Sequence, residues 1–448
     1  MIVILGGGIS GLSTAWYLRQ KTNAKIILIE KTPRLGGRIQ SVNEHDFFFE
    51  RGPRSIRPHG GEETLRLIQH LGLQDQVVPG KKAAHQRYLY LNQTLRKLPS
   101  SLKDLITSPW LWPILTSLIT EWTKKTSPKN DESIYEFISR RLNPKVADTL
   151  LDPMTSGIYA GNIHQLSMKS CFPKIYQYEK DHGSLTKGML SQKKRIPESN
   201  PFICEAKKSS LYTLQNGLQE LIVKLVEHLD IEIKLSCSVT SLIFDKQIHI
   251  ETENETFIAD HVISALPSQA LGHLMKAHDP SIAQLLHDIP MTSLAVVNIG
   301  YNQPVLKKEG FGYLIPSSEK EEILGMVWDS SAFPTQNQHT DQTRLTVMIG
   351  GSHMQNFEHT SEEDFLTMSL NALNSHLGIT ETPDCVEVSI AHQAIPQYIV
   401  GHSERVREIE TKIAALSSNF HFTGNCFYGV SVNDCILNAK KLVETHHF

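Results

Sequence analysis

Met1-Ile2-Val3-Ile4-Leu5-Gly6-Gly7-Gly8-Ile9-Ser10-Gly11 decides the fold of this chain. Ile2 to Leu5 is a short, wholly apolar run, the pattern of a central parallel strand covered on both faces. Gly6, Gly8 and Gly11 complete a GxGxxG spacing, and residues from about Ser10 to Gln20 predict a helix. Alone the motif is weak, but a strand before it and a helix after it supply a mechanism. The first glycine makes a tight turn, and the second lets a pyrophosphate reach the backbone. The third lets helix and strand pack closely, and the helix N-terminus offers N–H donors and a positive dipole. A second apolar run, Ile26 to Ile29, ends in Glu30, 19 residues past Gly11, where an acid bonds ribose hydroxyls. A ligand-free Gly-rich turn is the plainer alternative, and the complete constellation counts against it.

Working outward, Arg34-Leu35-Gly36-Gly37-Arg38 follows the second strand. It resembles the extended signature of flavoproteins, in which glycines and an arginine close over the FAD pyrophosphate. Arg38 would neutralise phosphate charge, against the plainer reading of an exposed loop cation. Near the other end, Thr423-Gly424-Asn425-Cys426-Phe427-Tyr428-Gly429-Val430-Ser431-Val432-Asn433-Asp434 resembles the second FAD contact of the amine-oxidase-like flavoproteins. A helix starting near Val430 would stabilise the negative charge of reduced flavin. The resemblance implies non-covalent FAD, since Cys426 does not match the position of a covalent anchor. It extends the cofactor set to Ile9, Ser10, Lys31, Val239, Gly424, Val430, Ser431 and Val432, and to Gly52, Pro53, Arg54 and Ser55 on the flavin-ring side.

The 448 residues are too many for one compact core, so two or three interleaved domains are expected. Lys plus Arg is 44 against Asp plus Glu 47, a balance without the basic excess of a nucleic-acid binder. The six cysteines show no CxxC pair and the 21 histidines no HExxH, so neither a disulfide framework nor a metal is expected. The first strand begins at Ile2, which leaves no room for a secretory signal or organelle presequence.

Ser108 to Trp122 is strongly apolar and holds three of the five tryptophans, flanked by Lys103, Lys124, Lys125 and Lys129. Interrupted by Pro109 and Pro113, it is too short to span a bilayer. Helical patterning continues through Ile134 to Leu151, and a Lys- and Ser-rich loop occupies 187 to 209. Beyond it, Leu214 to Leu229 reads as an amphipathic helix, Ile231 to Leu235 as a strand, and 239–259 as three short strands. The fold class expected is α/β: a Rossmann-like FAD-binding domain interleaved with an α+β substrate domain and a mainly helical insertion, whose Trp-rich stretch is either an ordinary core helix or a membrane-associating surface. The expected boundaries are 1–91, 206–270 and 396–448 for the FAD-binding parts, 92–205 for the insertion and 271–395 for the substrate domain.

Several stretches resemble the protoporphyrinogen oxidase family in particular. They are Glu50 to Pro58, Gly157-Ile158-Tyr159-Ala160-Gly161 with Leu166 to Pro173, Gly310 to Glu319, Val347 to Ser352, Ile395-Pro396-Gln397-Tyr398 and Gly429 to Cys435. The resemblance covers nearly the whole chain. It implies six-electron oxidation of protoporphyrinogen IX in three flavin cycles, reoxidised by oxygen with peroxide formed. It also implies that the flavin does the chemistry and that no dedicated catalytic side chain is needed. Arg87 matches the family's propionate-binding arginine, although a surface arginine on a strand edge is the plainer reading. Leu314, Val327 and Met348 match slot-lining positions or are plain core. Gly157 matches a glycine whose carbonyl faces the pyrrole N–H groups, where residues alone would suggest a turn.

An amine oxidase is the nearest rival, but only four residues separate Gly424 from Gly429, too few for the usual longer loop. Coproporphyrinogen oxidation is closer, and its four propionates would call for more cations. A flavin-binding scaffold or redox-neutral isomerase would show a damaged motif, and none is evident. The implied partners are a porphyrinogen and a membrane surface; a second copy of the chain and neighbours in the haem pathway are left open. The expected place is peripheral, on the cytoplasmic face of a bacterial inner membrane, or in the cytoplasm. For a eukaryotic chain it is the mitochondrial inner membrane.

Overall fold

The computed structural model describes residues 1–99, 104, 108–191 and 198–448. Two sheets organise them. The first is parallel, in the order Phe420–Phe422, His261–Ser264, Ile2–Leu5, Ile26–Ile29, Glu232–Lys234. Ile2 to Leu5 lies at its centre and is wholly buried, as an all-apolar run requires when helices cover both faces. The helix Ile9–Lys21 packs on one side against the C-terminal helix Val432–Thr445.

The second sheet has seven strands, in the order Cys385–Pro396, Met291–Tyr301, Thr343–Gly350, Ile323–Val327, Gly312–Leu314, Arg87–Leu91, Thr94–Lys97. Its last two strands come from the N-terminal part of the chain, with Arg87–Leu91 running parallel to Gly312–Leu314. One face packs on Phe365, Leu373 and Ile379, giving a core separate from that of the first sheet. The described residues between 108 and 206 are mainly helical, with a core of their own around Phe137, Ile163, Leu166 and Tyr398. Lys103 and residues 192–197 of the Lys- and Ser-rich loop lie outside the described residues.

Two helices expected to be continuous are divided, each for a local reason. The stretch 214–229 opens as a strand, Tyr212–Leu214, and becomes helical only at Gln219–Glu227. Gly217 stands between them at φ +84°, where a Cβ would meet Ser41 Oγ at 2.3 Å. The stretch 134–151 breaks after Arg141, because Asn143 caps a new turn that opens with Pro144. The last helix begins at Val432 rather than Val430, because Ser431 accepts the N–H of Asp434 and so serves as its cap.

Candidate active site

Loops from three parts of the chain meet at the C-terminal edge of the parallel sheet. Gly6 turns at φ +102°, and a Cβ on Gly11 would lie 1.9 Å from the Gly6 carbonyl oxygen. Only glycine at 11 lets the helix press this closely on the strand. Gly8 caps the helix, and its nearest neighbour beyond a notional Cβ is Gly37 Cα at 3.9 Å, so the bare backbone faces a gap. The Gly36 N–H donates to the Gly7 carbonyl at 2.8 Å and fixes the second loop beside the first. Glu30 accepts the Gly7 N–H at 2.7 Å and the Thr32 N–H at 2.9 Å, which holds its carboxylate at the rim, with Lys31 exposed next to it. Ser236 donates its N–H to the Thr32 carbonyl at 3.1 Å, so the strand opened by Val239 starts near the same rim. Arg38 donates to the His392 carbonyl at 2.7 Å from the far wall.

The C-terminal loop arrives on the same spot. Gly424, at φ +126°, and Gly6 both face the Ala265 carbonyl, and the Thr423 N–H donates to Ser264 at 2.8 Å. Helices Ile9–Lys21 and Val432–Thr445 therefore open side by side, with Ile9, Ser10, Val430, Ser431 and Val432 at the mouth. Two helix N-termini, a run of Cβ-free backbone and one acid at the rim are what a dinucleotide needs: donors for phosphate and an acceptor for ribose. The residues present fit such a group.

The third element is the loop Gly52-Pro53-Arg54-Ser55. A Cβ on Gly52 would lie 2.0 Å from the Arg38 carbonyl oxygen, so this loop is pressed against the cradle wall. Arg54 is buried and reaches Asp329 at 3.2 Å. Asp329 Oδ2 in turn lies 2.7 Å from Thr346 Oγ1, on the seven-stranded sheet. Next to it, burial pushes the Glu50 carboxyl up to about 7, against the opposing pull of the Leu218 N–H and the Ser41 hydroxyl.

The register of the seven-stranded sheet brings the remaining candidates together. Arg87 pairs with Gly312, Gly312 with Val327, Leu314 with Gly325, and Gly325 with Met348. Paired residues and residues two apart share a face, so Arg87, Leu314, Val327 and Met348 lie on one face together with Thr346. Gly157, on the helix Asp152–Tyr159, faces them: its notional Cβ is 2.8 Å from Leu314 Cδ2. Arg87 sits over the Phe311 ring at 5.6 Å and meets no carboxylate among the described residues. Burial and the nearby charge of Arg57 both lower its pKa. Arg57 is a second cation that motif reading passed over, although it stands within the stretch Glu50 to Pro58. Asp329 was also missed, and no local signal marks it.

A groove of about 790 Å³ lies elsewhere, at the free edge of the parallel sheet, lined by Lys169, His402, His421, Tyr428 and Lys441 among others. None of the candidate residues lines it.

Comparison with known proteins agrees with this geometry. The family model described as flavin containing amine oxidoreductase matches residues 9–444. The chain is 36% identical to the protoporphyrinogen oxidases of Bos taurus and Homo sapiens, over 98% of its length and 97% of theirs. It is 29% identical to the coproporphyrinogen III oxidase of Bacillus subtilis, over 99% and 97%. A crystal structure of a protein from Exiguobacterium sp. 255-15 superposes with a TM-score of 0.84 at 25% identity, covering 99% of this chain and 98% of that one.

Proposed function

The chain belongs to the flavin-containing amine oxidoreductases, and within them to the protoporphyrinogen oxidases; from that premise we propose that it oxidises protoporphyrinogen IX to protoporphyrin IX. It is a FAD-dependent oxidase of porphyrinogens in haem biosynthesis. The finer reading is removal of six electrons in three rounds, with molecular oxygen taking two each time and leaving as hydrogen peroxide. When bound, FAD supplies the hydride acceptor. The chain's own residues bind, orient and exclude water.

One observation carries the reading: a stretch of one sheet face holds an arginine that meets no carboxylate among the described residues, followed by the apolar Leu314, Val327 and Met348. That suits a flat, apolar macrocycle with its propionates at one edge. In this reading Arg87, helped by Arg57, takes a propionate. Leu314, Val327 and Met348 line the slot, and the Gly157 carbonyl faces the pyrrole N–H groups. Gly6 to Gly11, Glu30 and Arg38 hold the pyrophosphate and ribose of FAD. Gly52 to Ser55 border its ring, and Gly424 to Val432 its pyrimidine edge. Two arginines match the two propionates of protoporphyrinogen better than the four of coproporphyrinogen. The test is porphyrin fluorescence on adding each porphyrinogen aerobically to the purified protein. A rate above autoxidation and larger for protoporphyrinogen is expected, while a larger rate on coproporphyrinogen would overturn the choice of substrate.

A second reading concerns where the enzyme works. Among the described residues no helix is long and apolar enough to cross a membrane. Trp112, Ile119 and Trp122 nevertheless stand exposed on and just beyond the helix Trp112–Glu121, with Met189 and Leu190 on the neighbouring helix Leu185–Leu190; Ile119 is 72% and Leu190 87% exposed. Apolar and tryptophan side chains beside Lys124 and Lys125 suit a seat in a lipid interface. Co-sedimentation with anionic vesicles tests it, and a Trp122→Ser chain that sediments as well as the wild type would count against it.

A further inference from the structure

The stretch Ile395 to Tyr398 has no part in the cradle or the slot as described so far. Its tyrosine, however, is fixed against the loop that opens the last helix. Tyr398 is 1% exposed, and its hydroxyl is used twice: it donates to the Asn425 carbonyl and accepts the Gly429 N–H at 2.8 Å. His402, equally buried, stacks on the Tyr398 ring with centroids 4.0 Å apart and planes 15° from parallel. Its Nε2 lies 3.2 Å from the Phe427 carbonyl oxygen and donates to it. Two side chains thus hold three backbone groups of one five-residue loop. The loop has little freedom of its own, because Gly429 sits at φ +133° with a notional Cβ 2.6 Å from Asp434.

The same segment reaches the substrate side. Gln397 donates to the Tyr159 carbonyl at 2.7 Å, two residues beyond Gly157, and the Tyr398 carbonyl accepts the Ser167 N–H at 2.8 Å. One short stretch therefore ties the helix bearing Gly157 to the loop bearing Gly424 and Gly429.

We propose that Tyr398 and His402 are positioning residues that hold the Gly424–Ser431 loop, and with it the start of the helix Val432–Thr445, against the pyrimidine edge of the flavin. This rests on the assignment of that loop to FAD. A helix N-terminus stabilises the negative charge of a reduced flavin only when it is held in place, because preorganised dipoles do not have to reorient as the charge forms. Without the Tyr398 hydroxyl, the Asn425 carbonyl and the Gly429 N–H lose their partner in a buried site. The loop then moves to find others. Reduced flavin is stabilised less, and the cofactor is held less firmly.

Tyr398→Phe removes the hydroxyl and keeps the ring, while His402→Gln keeps an N–H donor and loses the stack. On the purified holoenzyme, three quantities are read: the flavin midpoint potential against a reference dye, FAD release on dilution by flavin fluorescence, and the thermal midpoint. Tyr398→Phe is expected to shift the potential negative and speed FAD release at least tenfold, with His402→Gln between it and the wild type. If Tyr398→Phe does not fold, His402→Gln carries the test. Variants that lose thermal stability but keep the wild-type potential and release rate would overturn the proposal, leaving the pair a purely structural one. A wild-type chain that purified without flavin and took none up would instead overturn the FAD assignment on which the proposal stands.

Discussion

Leu314 occupies the space that a side chain at Gly157 would need: a Cβ there would lie 2.8 Å from Leu314 Cδ2 and 3.0 Å from Cδ1. Gly157 is helical, so alanine would favour the helix by up to ~1 kcal/mol while pushing Leu314 across the proposed slot. Gly157→Ala should therefore keep its thermal midpoint and its FAD but lose about tenfold in kcat/KM, or ~1.4 kcal/mol of transition-state binding. Steady-state kinetics beside flavin absorbance separate the two effects. An unchanged kcat/KM would mean that the macrocycle does not pass between these residues.

Arg87 lies on the sheet face shared by Leu314, Val327 and Met348, with Arg57 close enough to depress its pKa further after burial. If it takes a propionate, Arg87→Ala should raise KM by roughly ten- to a hundredfold, the worth of a charged hydrogen bond at ~1.5–3 kcal/mol. Arg87→Lys should recover only part, because an ammonium lacks the planar fork. The porphyrinogen dimethyl ester is the control. Wild type and variants should handle it alike, and a loss that persists on the ester would place Arg87 in packing rather than in carboxylate recognition.

How much of this was legible follows from how local each signal is. Ile2 to Gly11 and Glu30 lie within one βαβ unit, so spacing together with the flanking strand and helix patterns made the Gly-rich turn and its acid legible. Gly36, Gly37 and Arg38 are local in the same way. The pairing of Arg87 with Gly312 joins strands more than two hundred residues apart, and nothing in either strand names the other. Those residues entered the site through family resemblance; the register then put them on one face. Arg54 stands in a motif that the sequence marks, but its partner Asp329 is 275 residues away and looks like any acid opening a short helix. The division of 214–229 was readable in principle, since Gly217 sits inside the expected helix and interrupts it.

Glu50 makes stability depend on pH. Its carboxyl is buried, and burial raises its pKa from 4.5 to about 7. Between those values the folded chain holds a proton that the unfolded chain has released, so the group weakens the fold as pH rises from 4.5 to 7 and no further above that. The full loss is about 3 kcal/mol. Glu50→Gln imitates the protonated form and still offers an acceptor to Leu218 or Ser41. Its thermal midpoint should exceed that of the wild type at pH 8 and match it at pH 4.5. The opposite ordering would show that the carboxylate is stabilised by Arg54 more than it is penalised by burial.

Glu121 and Arg141 tie the helix bearing the exposed tryptophans to the rest of the insertion. Both are fully buried and paired, and Glu121 also accepts the Ser184 hydroxyl at 2.7 Å and the Leu185 N–H at 2.8 Å. Burial alone would raise its pKa, but Ser184, Leu185 and Arg141 together bring it down to about 2. The carboxylate thus serves as counter-ion and as cap for the helix Leu185–Leu190, whose end carries the exposed Met189 and Leu190. Glu121→Ala leaves Arg141 buried with Glu179, 3.3 Å away and shared with Arg140, as its remaining carboxylate, so the loss should fall below the about 3–5 kcal/mol of a fully orphaned buried charge. The Lys124 and Gly183 carbonyls, which Arg141 already contacts, offset a further part. The damage should stay within the helical segment, because the cradle belongs to the parallel sheet. FAD content should hold while the chain near 112–122 becomes open to limited proteolysis and vesicle binding falls. Simultaneous loss of FAD would mean that the insertion and the cradle fold as one unit.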